Sequence, residues 1–82
     1  MPNVTLPPNT AVDLYVESGI ATSVAITVTN LGTGDIRLST TQAGVQNDFI
    51  PLNAYEQASN KSSDPGAWAF ATSGGGVNVK EA

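Results

Sequence analysis

The stretch from Val24 to Leu38 constrains this chain more than any other. Val24, Ile26 and Val28 alternate with Ala25, Thr27 and Thr29. After Asn30-Leu31-Gly32-Thr33-Gly34 the alternation resumes, with Ile36 and Leu38 set against Asp35, Arg37 and Ser39. Successive side chains on a strand point to opposite faces, so each run can bury one face and wet the other. Two such runs around a Gly-rich break predict an antiparallel hairpin.

The remaining segments repeat this style. Val4-Thr5-Leu6 is a short extended piece stopped by Pro7-Pro8, which confines it to a sheet edge or to a packed arm. Val12, Leu14 and Val16 share one face of the next run, opposite Ala11, Asp13 and Tyr15; Glu17-Ser18-Gly19 ends it and Ile20 rejoins the apolar side. The polar stretch from Thr40 to Asp48, around a lone Val45, predicts an exposed loop long enough to contact a partner. Phe49-Ile50-Pro51-Leu52 contains a proline and reads as an edge strand or packed loop, and Tyr55-Glu56-Gln57 as another short strand. Residues 58–66 are turn-forming, with Asp64-Pro65-Gly66 the explicit signal.

In Ala67-Trp68-Ala69-Phe70-Ala71 large alternates with small, and the expectation is that Trp68 and Phe70 enter the core while the alanines lie against a neighbouring surface. Gly74-Gly75-Gly76 predicts a hairpin turn into a closing strand, Val77–Lys80. No segment reads as a helix, and no internal repeat is evident. The expected fold is all-β: a small antiparallel β-sandwich or barrel of about seven or eight short strands. Residues 1–82 form one domain, with 1–8 as a candidate extended N-terminal arm.

Composition narrows what such a domain can do. At 82 residues the chain buries only about 60–65% of the surface its unfolded form exposes. Ten of its apolar residues are alanines and it has no cysteine, so no disulfide can brace it. Small domains without staples gain stability by associating, and a homo-oligomer is expected, with a trimer as one candidate. Seven acidic residues against three basic give a formal charge of −4. No basic stripe faces phosphates or an anionic membrane, which argues against nucleic-acid and membrane partners. No apolar run approaches the roughly 20 residues that span a bilayer, and the proline-rich N-terminus does not read as a signal peptide. Charged residues make up 12% of the chain, a share that suits a surface partly covered by other proteins and equally a plain neutral-polar β surface.

Chemistry is sparse. The chain lacks histidine as well as cysteine, which removes the usual neutral-pH proton shuttle, the thiol nucleophile and the commonest metal ligands. Asp13 with Glu17, or Asp48 with Asp64, could be offered as carboxylate pairs for glycoside hydrolysis. A domain this small leaves little material to wall a water-excluding cleft, so solvated acids are the expected reading. Asp64 with Asn60 and Ser62 is a weak calcium candidate, and an Asx-turn is the plainer account. The 74–76 glycines lack the Lys-Ser/Thr of a phosphate loop. Trp68 with Tyr55 or Tyr15 could form a sugar-stacking platform, against the commoner fate of such a strand aromatic in the core. Arg37 is the one arginine, expected on the wet or interface face, paired with an acid across the sheet or anchoring a partner. Asn3-Val4-Thr5 and Asn60-Lys61-Ser62 match the glycosylation sequon, here as chance matches. No catalytic, cofactor or metal residues are assigned, no cofactor is expected, and the chain does not read as an enzyme.

Several segments in order resemble a group of small all-β virion proteins of tailed bacteriophages: Val4-Thr5-Leu6-Pro7 with Val12-Asp13-Leu14-Tyr15; Val28-Thr29-Asn30-Leu31-Gly32 with Asp35-Ile36-Arg37-Leu38-Ser39; Ser63-Asp64-Pro65-Gly66-Ala67-Trp68-Ala69-Phe70; and the Gly-rich run before Val77-Asn78-Val79. These are strand and turn signatures, none diagnostic alone. The resemblance implies a structural subunit built into the virion, assembled in the host cytoplasm. It implies no dependable set of functional residues. This chain is shorter than many of that group between Leu38 and Trp68, which weakens any host-contact role housed there. The expected function is a capsid decoration or cement protein present in many copies, its partner a phage capsid or tail protein, and Met1–Pro8 and Thr40–Asp48 its candidate contacts. The alternatives are a tail or tail-fibre adaptor and a small carbohydrate-binding module.

Overall fold

The structure, a computed structural model, describes residues 3–32 and 34–82. Met1 and Pro2 of the expected arm, and Thr33 of the Gly-rich break, lie outside the described residues. Eight strands and two short helices follow one another as β1 (Asn3–Leu6), β2 (Val12–Asp13), α1 (Leu14–Ser18), β3 (Ile26–Asn30), β4 (Ile36–Ser39), α2 (Gly44–Asn47), β5 (Ile50–Leu52), β6 (Gln57–Asn60), β7 (Trp68–Phe70) and β8 (Gly75–Glu81). They form two four-stranded sheets, ordered β1-β8-β3-β6 and β2-β7-β4-β5, and every paired strand is antiparallel. The expected all-β sandwich is the fold.

Its topology is that of a jelly roll. The pairs β1 with β8, β2 with β7, β3 with β6 and β4 with β5 make one long hairpin. That ribbon is rolled so that β8 also pairs with β3, and β7 with β4. The result is the interleaved double Greek key of eight-stranded jelly rolls. At each position of one sheet stands the chain neighbour of the strand at that position in the other. The chain therefore changes sheet at every connection except β4 to β5.

The Val24–Leu38 stretch is thus an arch between sheets, not a hairpin: β3 pairs with β8 and β6, β4 with β7 and β5. Asn30 explains the crossing. Its side chain is 1% exposed. Its Nδ2 donates to the carbonyls of Gly34 at 2.8 Å, Leu52 at 3.0 Å and Asn53 at 3.1 Å. Its Oδ1 accepts from the Gly32 N–H at 3.0 Å. A buried amide that satisfies this many backbone groups fixes where the chain leaves the first sheet.

Two further expectations change. The run after Val12 bends into α1, because Asp13 caps it: Oδ1 accepts from the N–H groups of Tyr15 at 3.0 Å and Val16 at 3.3 Å. Gly19 ends the turn at φ 76°, the left-handed stop glycine adopts without strain. Val16 consequently points to solvent, while Leu14 and Tyr15 are buried. The faces of β7 are also the reverse of those expected. Ala67, Ala69 and Ala71 lie in the core between the sheets, together with Val4, Leu6, Ile26, Val28, Ile36, Leu38, Val77 and Val79. Trp68 and Phe70 point away from that core, opposite Ser39 and Arg37 on the outer side. Small residues let the two sheets approach where strands are short, and the bulky rings find room outside.

Candidate functional site

Two features of the outer surface carry side chains with chemistry. The first covers the second sheet. Arg37, on β4, lies with its guanidinium carbon 4.7 Å from the centre of the Phe49 ring and 5.5 Å from that of Phe70. It donates to the Val45 carbonyl and to Gln46 Oε1, both at 3.4 Å. The expected partner across the sheet was an acid; the partners are two aromatic rings and a helix, a cation–π arrangement. The Thr40–Asp48 segment supplies that helix. It forms the tip of the long hairpin and folds back over β4 and β7, so Val45 is 1% exposed and only its flanks face water. Thr41 Oγ1 accepts from the Gly44 N–H at 3.1 Å, and a Cβ on Gly44 would collide with the Ser39 and Thr41 hydroxyls. Glycine is what allows this close approach.

The second feature is a cleft of about 250 Å³ at the open side of the sandwich, where the sheets end in β5 and β6. One wall is Leu38, Ser39 and Thr40 with Asp48, Phe49 and Ile50; the other is Ser59, Asn60 and Asp64. Ile50 stands opposite Leu38 on the inner side of the sheet yet is 54% exposed, because β5 is an edge and nothing lies beyond it. The 53–56 turn closes the opposite end of the β5–β6 connection, with Asn53 N–H donating to Glu56 Oε1 at 2.8 Å. Asp64 Oδ2 accepts from the Lys61 N–H at 2.9 Å, the expected local turn.

Asp48 and Asp64 are thus brought to one cleft, as acids beside apolar side chains. Asp13 and Glu17 are not a site: Asp13 caps α1 and Glu17 sits on its exposed side. Among the described residues no group of three or more histidine, cysteine or acidic side chains could hold a metal ion, and in the Asn60–Asp64 turn the Asp64 carboxylate is engaged by the Lys61 N–H. The aromatic residues do not form a platform. Tyr15 is 2% exposed, its hydroxyl donating to the Val24 carbonyl at 2.8 Å and accepting from Asn60 Nδ2 at 3.0 Å. Tyr55 is exposed on the 53–56 turn, beyond the Leu52–Ile36 end of the sheet; Trp68 is at the other end, opposite Ser39. The sequon residue Asn60 is buried with its amide engaged, while Asn3 is exposed and accepts from Asn78 Nδ2 at 2.9 Å.

Of the two expectations for the N-terminal segment, Asn3–Leu6 adopts the edge position: it pairs with β8, with Val4 and Leu6 in the core. Phe49–Leu52 likewise supplies an edge strand. Sequence reading set Asn60 beside Asp64 but missed that Leu38 and Ile50 face Ser59 and Asn60 across the cleft, since the two sheets meet there only through the rolled topology. The Asp13–Gly19 pair of caps around five residues was a signal that could have found α1.

The fold and clefts define a class, an all-β jelly roll with a polar first face and an aromatic-bearing second. Comparison with known proteins adds no relative: no family model, curated protein or solved structure matches this chain.

Proposed function

We propose that this chain is a structural subunit of a tailed-phage virion, a capsid decoration or cement protein that works by docking in many copies. The observation that carries the reading is the strand order: the jelly roll recurs among viral capsid domains, a warrant by architectural analogy. Three properties support it. The sequence offers no histidine or cysteine for catalysis. The outer side of the first sheet presents Asn3, Thr5, Thr27, Thr29, Gln57, Ser59 and Asn78, neutral side chains suited to a broad contact, together with Lys80 opposite Thr27. The core is small, so burying surface between copies adds stability.

Docking of many modest interfaces would strengthen a shell as multivalent attachment does. The test is the number of copies in purified particles of the phage encoding the chain, by quantitative mass spectrometry. Hundreds per particle meets the proposal. A few to a few dozen assigns the chain to the tail, and absence from particles overturns the reading. Because Asn3–Leu6 is structural, an arm deletion would unfold the first sheet; Thr27→Arg with Thr29→Arg is the cleaner surface variant, expected to reduce copy number in particles while the isolated protein stays folded.

A further inference from the structure

The four edges of the two sheets are not alike. β1 runs into Pro7-Pro8, β5 carries Pro51 at its centre, and β2 is two residues long before the chain turns into α1. Proline and short length are the usual guards against strand addition. β6 has neither: Gln57-Ala58-Ser59-Asn60 is a neutral edge without proline, lysine or arginine, and no described strand lies beyond it. It also forms one wall of the cleft that holds Leu38, Phe49 and Ile50 beside the carboxylates of Asp48 and Asp64.

We propose that β6 is an acceptor edge for an extended partner segment that carries apolar and basic side chains on the same face, a strand-addition site. This rests on the docking reading above and names the chemistry of what docks. Backbone groups of the incoming strand would pair with β6, extending the first sheet. Side chains on its inner face would cover Leu38 and Ile50, with a lysine or arginine among them, two residues along, to meet Asp48 and Asp64. Charge decides the occupant. No cationic side chain lines the cleft, and the whole chain carries −4. A second copy pairing edge to edge through β6 would bring its own Asp48 and Asp64 toward the same acids, an unfavourable like-charge contact, whereas a basic segment neutralises them.

The test uses an end-capped octapeptide, Thr-Val-Thr-Lys-Thr-Val-Thr-Lys, whose valines and lysines share one face, and a control with glutamate in place of lysine, titrated into the ¹⁵N-labelled protein. Amide shifts and slowed hydrogen exchange are expected at residues 57–60 with the lysine peptide alone. The double variant Asp48→Asn with Asp64→Asn should weaken binding about three- to tenfold, the size expected for two partly solvated ion pairs. Ser59→Lys, on an exposed edge position that leaves the fold intact, should abolish it. Equal binding of both peptides, shifts confined to the Arg37 face, or no binding overturns the proposal. So do concentration-dependent shifts at 57–60 without peptide, which would make the edge a contact between copies. Copy number in particles reads the virion proposal separately, so either can fail alone.

Discussion

The inside of the sandwich and the outer face of its second sheet bury apolar groups in opposite ways. Between the sheets the side chains are aliphatic or alanine, and the polar groups admitted there are satisfied: Asn30 by four backbone groups, Tyr15 and Asn60 by each other and by main-chain carbonyls. On the outer face the Arg37 guanidinium lies over Phe49 and Phe70; Phe70 is buried beneath it, while Phe49 and Trp68 stay partly wet. The contrast teaches that in so thin a domain the rings of Trp68, Phe70 and Phe49 lie outside the centre, while Tyr15 enters it from α1 with its hydroxyl satisfied. The interior tolerates almost no change of volume, whereas the exterior adapts.

The sharpest probe of that contrast is Asn30→Ala. It strands Leu52, Asn53 and Gly34 carbonyls and the Gly32 N–H, and since each buried unsatisfied group costs about 1–3 kcal/mol, a loss on the order of 3–4 kcal/mol is expected. Urea denaturation measures it, and a loss below about 1 kcal/mol would show that the arch holds without this side chain. Ala69→Leu tests the interior's intolerance of volume. Overpacking between the sheets should cost about 2–3 kcal/mol, visible as a lower urea midpoint at unchanged slope.

Tyr15→Phe keeps the ring and removes the hydroxyl between Val24 and Asn60, for an expected loss of about 1–1.5 kcal/mol. It should also speed amide exchange near Val24. The smallest effect belongs to the outer face. A double-mutant cycle on Arg37→Ala and Phe49→Ala should return a coupling of about 0.5–1 kcal/mol, as for partly exposed cation–π pairs. A coupling above the Asn30 loss would invert the comparison.

How much of this was legible follows from the range over which each signal acts. The turns at Gly19 and Asp64-Pro65-Gly66, the strand count and the edge placement of Phe49–Leu52 are local matters of backbone conformation and proline chemistry, and they read correctly. The glycines at 74–76 close no hairpin: Gly74 turns the chain from β7 into β8 of the other sheet, Gly75 and Gly76 are already strand, and the strand expected at Tyr55–Gln57 lies at Gln57–Asn60. The alternation from Val24 to Ser39 correctly says which residues share a face. It carries no information on which sheet each strand joins, and Asn30, the residue that decides, has its partners 22 and 23 positions away. In Ala67–Ala71 both faces were apolar, so alternation could not choose, and size pointed the wrong way because the gap between sheets was unknown. Asp48 and Asp64 were noticed as acids; that Ile50 and the β6 edge stand beside them is a product of the rolled hairpin.

That roll also sets an order of events during synthesis. β8 lies between β1 and β3, its two partners made earliest in the first sheet, and no substitute can fill its place. The nascent chain can join β4 to β5 early, but the first sheet stays open down its middle until residue 81 clears the ribosome. Such closure of distant segments is slow, on the order of milliseconds to seconds. Newly made copies therefore spend their youth as unfinished sheets, and a chaperone has its opportunity in that interval.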